Sequence, residues 1–112
     1  MGALVATTPT RAGVATPGAA VAASDTIALA LLGTYGVLLE ILNGNAATDN
    51  MTISDASTTS SGAPAAANAP ALTTGTNRIF KITRDMADPT TGNVTITHSV
   101  TSTVTYKLYP LG

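Results

Sequence analysis

The chain has 112 residues, enough for one domain, and alanine supplies much of its 45% hydrophobic content, so the predicted core is thin. Only 10% of the residues are charged and the net charge is −1, so the five cations are too few to neutralise many phosphates and a nucleic-acid partner is not expected. Cysteine is absent, which excludes disulfides, thiolate metal sites and thiol nucleophiles.

The first 24 residues are rich in alanine, threonine, proline and glycine and show no lasting apolar period. Pro9 and Pro17 disfavour helix at the residues before them, so we predict an extended N-terminal arm over residues 1–24. This segment lacks the basic and continuous apolar regions of a secretion signal. The longest apolar run, Ile27 to Leu39, has 13 residues. A membrane-spanning helix needs about 20, so no membrane partner is expected.

A β-domain is predicted over residues 25–112. The segment "DTIALAL", from Asp25 to Leu31, alternates large apolar residues with small or polar ones, as is typical of a strand. The segment "VLLEIL", from Val37 to Leu42, is a second strand candidate and precedes an Asn-Gly-Asn turn. The competing interpretation is one helix from Asp25 to Leu42 capped by Ser24, in which two internal glycines would cost about 1 kcal/mol each. We prefer the two strands.

Several short strands with frequent turns predict an all-β fold, a small antiparallel β-sandwich or barrel. The later strand candidates are "MTIS" (Met51–Ser54), "TNRIFKIT" (Thr76–Thr83) and a closing β-hairpin over Asn93–Pro110 that turns at Val100–Ser102. A low-complexity surface loop is predicted over residues 56–74, and a helical turn with a tight turn over residues 84–92. The predicted core residues are Leu39, Ile41, Phe80, Ile82, Ile96, Tyr106 and Leu108.

Reactive side chains are few. His98, the one histidine, is predicted to be a partly exposed residue of the hairpin, because no nucleophile motif surrounds it and no second histidine or cysteine could share a zinc ion. All carboxylates except Glu40 lie beside turn residues or strand ends, where aspartate favours hydrogen bonds to the nearby backbone. A glycosidase would need two of them facing across a cleft, and a calcium loop would need a spacing that is absent. We therefore predict no catalytic residue, no metal and no cofactor.

Two groups of charged residues need partners. Glu40, within an apolar strand, either points to solvent or pairs with a cation on a neighbouring strand, for which Arg78, Lys81 and Lys107 are candidates. Arg78, Lys81 and Arg84 lie within seven residues, a spacing that does not match a single strand face. They are either solvated surface charges or a site that docks onto an acidic protein surface.

Four segments, in this order, resemble a family of small structural proteins of tailed bacteriophages that are encoded among head genes. They are "VATTPTRAGV" (Val5–Val14), "VLLEILNGNAATDNMTIS" (Val37–Ser54), "ALTTGTNRIFKI" (Ala71–Ile82) and "DPTTGNVTITHSVTSTVTYKLYP" (Asp88–Pro110). The chain departs from the family at His98-Ser99, where Tyr-Ser is common, and in Leu72–Gly75, which lacks the family's proline. The resemblance covers nearly the whole chain.

The resemblance implies a non-enzymatic virion protein that decorates or cements the capsid. Its expected partner is the major capsid protein, its expected location is the outer capsid surface after assembly in the host cytoplasm, and its expected state is a homo-oligomer, with a trimer favoured. The residues expected to contact the capsid or other copies are Thr8, Pro9, Thr10, Arg11, Arg78, Lys81 and Arg84. The alternatives are a head–tail connector or tail component and a carbohydrate-binding or adhesive β-sandwich. The last of these needs exposed aromatic side chains, for which the candidates are Tyr35, Phe80, Tyr106 and Tyr109.

Overall fold

The computed structural model describes residues 2–7, 11–13, 18–57, 61 and 68–111. Its strands are β1 (Gly2–Ala3), β2 (Ala19–Ala20), β3 (Ser24–Ala28), β4 (Val37–Asn43), β5 (Asp49–Asn50), β6 (Thr52–Ile53), β7 (Ala71–Leu72), β8 (Asn77–Ile82), β9 (Asn93–Thr97) and β10 (Val104–Pro110). One helical turn, α1 (Leu29–Leu32), follows β3, and a 3-10 turn (Arg84–Met86) follows β8. The predicted all-β class is confirmed.

Two four-stranded sheets form a sandwich. The first sheet has the strand order β1-β3-β9-β6, the second has the order β2-β10-β4-β8, and β5 and β7 form a small third sheet. Among the described residues, every strand pairing is antiparallel except that of β1 with β3. Along β4 every second residue from Val37 is buried and the residues between are half-buried, so one face of this strand supplies the core.

Six of the seven predicted core residues are buried, and Phe80 is half-buried. Phe80 lies on β8, the last strand of the second sheet, where a side chain has neighbours on one side only. The period-2 pattern therefore identified the inward face of these strands correctly, because burial on one face of a sheet follows the alternation of side chains.

The predicted closing hairpin is wrong. β9 pairs with β3 and β6 in the first sheet, whereas β10 pairs with β4 and β2 in the second. The residues between β9 and β10 carry the chain from one sheet to the other. His98 N–H donates to the Ala23 carbonyl on the first side, and Gly44 N–H donates to the Thr103 carbonyl on the second. Alternation shows that each strand is half-buried but not which strand lies beside it.

The predicted strand from Asp25 ends earlier than its alternation suggests. β3 ends at Ala28, and α1 turns Leu32 into the core, where it is fully buried. Gly33 N–H closes the helical turn on the Leu29 carbonyl, and the chain then reaches β4. The alternative of one helix from residue 25 to residue 42 is wrong, whereas the strand predicted at Val37–Leu42 is confirmed as β4.

The N-terminal segment lies along both sheets. β1 pairs with β3 of the first sheet, and β2 pairs with β10 of the second. Leu4 and Val21 are buried among the core residues. At the far end of the predicted surface loop 56–74, Leu72 of β7 is also fully buried, while residues 58–60 and 62–67 of that loop lie outside the described residues.

The inward register makes a direct prediction. Ile96→Ala and Leu108→Ala are each expected to lower the free energy of unfolding by about 2–5 kcal/mol, because both side chains are fully buried. Thr95→Ala and Thr105→Ala are expected to cost less than about 1 kcal/mol, because these neighbours lie on the opposite faces and are half-buried. Thermal or urea unfolding of the four variants measures the ranking, and the reverse order would contradict the register.

Candidate functional site

The predicted contact residues of the N-terminal segment are placed only in part. Thr8, Pro9 and Thr10 lie outside the described residues, and Arg11 is exposed. The residues on either side of this segment both contact β10. Thr7 N–H donates to the Leu108 carbonyl at 2.6 Å, and Gly18 lies so close that a Cβ there would be 3.0 Å from the Tyr106 carbonyl oxygen.

The three cations near β8 are all exposed but do not form one basic face. The Arg78 guanidinium lies over the Phe80 ring, 5.5 Å from its centroid, on the side of the strand that leads to buried Ile82. Lys81 lies on the opposite side, directly across from Leu38 of β4. Arg84 Nη1 donates to the Gly33 carbonyl at 3.4 Å. The cations therefore surround the edge of the sheet at β8.

The solvent-facing side of the second sheet, which we call the outer face, carries three cross-strand rows. The rows are Thr105–Leu42–Asn77, Lys107–Glu40–Ile79 and Tyr109–Leu38–Lys81. Glu40 lies between Lys107 and Ile79, and its Oε2 accepts a hydrogen bond of 2.9 Å from Asn77 Nδ2. Of its candidate cations, Lys107 is its direct cross-strand neighbour. Ile79, 60% exposed, is the most exposed apolar residue on this face.

His98 is buried, so its predicted partial exposure is wrong. The residue is 7% exposed, and its Nδ1 donates to Oδ2 of Asp49 at 2.7 Å, where Asp49 is fully buried. The prediction that aspartate bonds its nearby backbone also fails at Asp49. Its Oδ1 accepts hydrogen bonds from the backbone N–H groups of Ser99 at 3.0 Å and Val100 at 3.4 Å.

These bonds fasten β5 to the segment that follows β9. Asn50 N–H donates to Ser99 Oγ at 2.8 Å, adding a fourth connection between the same two segments. In the part of the chain that the structure describes, no hydrogen bond joins the Ser99 hydroxyl to the His98 ring. The arrangement stabilises a join between sheets, and the serine is not aligned with the imidazole as an activated nucleophile would be.

The burial of His98 and Asp49 is indicated by their spacing from apolar residues in the sequence. His98 follows Val94 and Ile96 at a spacing of two, and all three are buried. Asp49 precedes Met51 and Ile53 at the same spacing, and these are buried as well. Both polar residues therefore occupy positions that the alternation assigns to the inward face. Since buried polar groups need hydrogen-bond partners, each of the two could have been expected to find one.

Comparison with known proteins does not assign this chain to a family. No protein-family model, no curated protein and no solved structure matches this chain. Among the described residues, no helix has the length and apolar character needed to cross a membrane, and no group of three or more metal-binding side chains comes together.

A shallow depression of about 310 Å³ lies where the turns after β4 and before β8 meet the start of β10. It is lined by Leu42, Asn43, Gly44, Gly75, Thr76, Asn77, Thr103 and Thr105. None of these side chains is aromatic, so the depression offers no ring on which a sugar could stack. Tyr106, one of the aromatic candidates, is buried, and its hydroxyl accepts the Val5 N–H at 3.0 Å.

Proposed function

We propose that this chain is a non-enzymatic structural protein of a tailed-bacteriophage head, which decorates the outer capsid surface and cements neighbouring major capsid subunits. One observation supports bridging most directly. The segment that contains Arg11 is flanked by contacts to β10, beside the β2 edge of the second sheet, and the exposed cations lie around the opposite edge at β8. One small domain thus presents two separate contact regions.

Two separated regions suit a cement protein because each can bind a different neighbour, either a capsid subunit or another copy of the chain. Adjacent strands are spaced by about 4.8 Å, so the edges at β2 and β8 are roughly 14 Å apart across the sheet. Individual contacts of this kind are modest, but many copies on one particle act together. The low charge of the chain lets copies lie close without strong repulsion. A trimer is the oligomer expected at a capsid three-fold position.

Particle stability tests the proposal. Capsids that lack the protein are expected to release their genome at a lower temperature, or under milder osmotic shock, than fully decorated capsids. Arg11→Gln is expected to reduce occupancy on the particle more than Lys107→Gln. The matched control removes the same charge from the outer face, where Lys107 lies directly across from Glu40 of β4. Equal release with and without the protein at full occupancy would contradict the cement role, and equal effects of the two variants would contradict a contact at Arg11.

The distribution of copies separates decoration from the connector alternative. A decoration protein is expected in many copies spread over the head, whereas a connector forms a single ring at the tail vertex. Quantitative electrophoresis of purified particles, together with labelled antibody and electron microscopy, measures both number and position. A single ring would favour the connector over decoration.

A further inference from the structure

The outer edge of β8 is available for another strand. β8 ends the second sheet, and in the part of the chain that the structure describes only β4 pairs with it. Four of its six residues are exposed, including Ile79 at 60%. A strand edge of this kind presents unpaired N–H and C=O groups that favour pairing with another strand.

The hydrogen-bond alternation shows which backbone groups face outward. Asn43 N–H donates to the Thr76 carbonyl at 2.9 Å, which makes this a hydrogen-bonded pair at the entrance to β8. In an antiparallel ladder every second pair is of this type, so Arg78, Phe80 and Ile82 direct their backbone groups toward β4. The residues whose N–H and C=O groups face outward are Asn77, Ile79 and Lys81. The bond from Gly44 N–H to the Thr103 carbonyl agrees with this alternation. It shows that the even-numbered residues of β4 direct their backbone groups toward β10, which leaves the odd-numbered ones for β8.

We propose that β8 pairs antiparallel with β8 of a second copy about a two-fold axis at Ile79, which joins the two second sheets into one continuous eight-stranded sheet. The second copy is a fitting occupant because its own edge presents the same outward groups. This inference concerns copies of the chain themselves and does not depend on the capsid role.

Charge and backbone geometry select Ile79 as the centre. A two-fold axis perpendicular to the sheet keeps the outer faces of the two copies on the same side only if it passes midway between two copies of the same residue. A centre at Arg78 or at Lys81 would place like charges directly opposite each other, which is unfavourable. A centre at Phe80 would pair Asn77 with Thr83, whose backbone N–H and C=O are already bonded to Met86 in the 3-10 turn.

The Ile79 register pairs all three outward residues and gives complementary neighbours. Ile79 faces Ile79 of the second copy, and Arg78 faces the second copy's Phe80, the ring type that it already covers within its own chain. Lys81 faces Asn77 of the second copy, whose side-chain amide is bonded to Glu40. Each lysine therefore approaches a carboxylate. The pairing covers one short strand, so it is a weak contact in solution that a high local concentration strengthens.

Disulfide trapping tests both the pairing and its register, since the chain has no cysteine of its own. Residues of a hydrogen-bonded antiparallel pair have Cα atoms about 5.5 Å apart, within the range of roughly 4.4–6.8 Å that a disulfide spans. Ile79→Cys is therefore expected to form a covalent dimer under mild oxidation. In the same register two copies of Lys81 are roughly 14 Å apart and two copies of Phe80 roughly 8 Å, so Lys81→Cys and Phe80→Cys are expected to stay monomeric.

A charge variant provides an independent readout. Ile79→Asp is expected to raise the dissociation constant of the dimer more than about tenfold, because two carboxylates meet at the axis. Sedimentation velocity at protein concentrations up to the millimolar range measures this change. Val5→Asp is the matched control, since Val5 is a β-branched residue of nearly equal exposure, 62%, beside the opposite edge of the second sheet. Circular dichroism checks that each variant folds.

Each outcome decides the proposal. A covalent dimer from Ile79→Cys alone, with association lost in Ile79→Asp and retained in Val5→Asp, supports it. Cross-linking through Phe80→Cys instead, a trimer that is insensitive to Ile79→Asp, or no association at millimolar protein would overturn it. Loss of capsid occupancy in Ile79→Asp without any self-association would assign the β8 edge to the capsid protein.

Discussion

Replacing Asp49 by alanine is expected to lower the free energy of unfolding by about 3–5 kcal/mol, a large fraction of the roughly 5–15 kcal/mol that is typical of a folded domain. The carboxylate is fully buried and accepts hydrogen bonds from His98 Nδ1 and from the backbone N–H groups of Ser99 and Val100. Alanine leaves all three donors without their acceptor, and the cost is largest at the His98 ring, whose bond to Asp49 is buried.

Two variants separate the contributions to this effect. Asp49→Asn keeps an oxygen that can accept from the Ser99 backbone, so its cost is expected to be smaller than that of alanine. His98→Ala removes one donor but leaves the two backbone bonds to the carboxylate, so it is also expected to cost less. Chemical unfolding of the three variants and of the double alanine variant gives the coupling energy of the pair. An Asp49→Ala variant as stable as the parent would contradict a contribution of this carboxylate to the free energy of unfolding.

Gly36→Ala is expected to destabilise the protein by roughly 3–5 kcal/mol. Gly36 has φ of +81°, and a Cβ at this residue would lie 2.2 Å from the Ile82 carbonyl oxygen. That oxygen belongs to the backbone of β8 and cannot rotate away as a side chain would. Gly36 also accepts from Leu111 N–H and donates to the Leu32 carbonyl, so a shift at this residue disturbs α1 and the end of the chain.

Gly92→Ala isolates the conformational part of this cost. Gly92 has φ of +74°, but a Cβ there would meet nothing within 4 Å. Its expected cost is therefore only the strain of a left-handed backbone, about 1–2 kcal/mol. The difference between the two alanine variants, measured by thermal unfolding, reports the backbone contact at Gly36. Equal costs would mean that β8 can move away from the turn without loss.

The sequence by itself determined the strand class and the inward face. β4, β8, β9 and β10 were predicted near their observed limits, because large apolar residues recur at every second position and β-branched residues favour extended backbone. The cost of placing Gly33 and Gly36 inside a helix correctly disfavoured a long helix over residues 25–42. These are local properties, which a short window of sequence contains in full.

The tertiary structure alone decided which strand lies beside which. A threonine-rich segment such as β9 has the same alternation whether it pairs with β10, as predicted, or with β3, as observed. The choice depends on how two sheets share one core, and this involves residues about seventy positions apart in the chain.

The arrangement of the candidate sites likewise depends on contacts between distant segments of the chain. The alternation places His98 and Asp49 on inward faces, but only the packing of β5 against the end of β9 brings the imidazole to the carboxylate. Likewise, the exposed cations could be listed from the sequence, whereas their place at a sheet edge follows from β8 being the last strand. Local pattern determines how each residue is oriented on its strand, and the burial of a shared core determines its neighbours, because burial depends on contacts between distant segments.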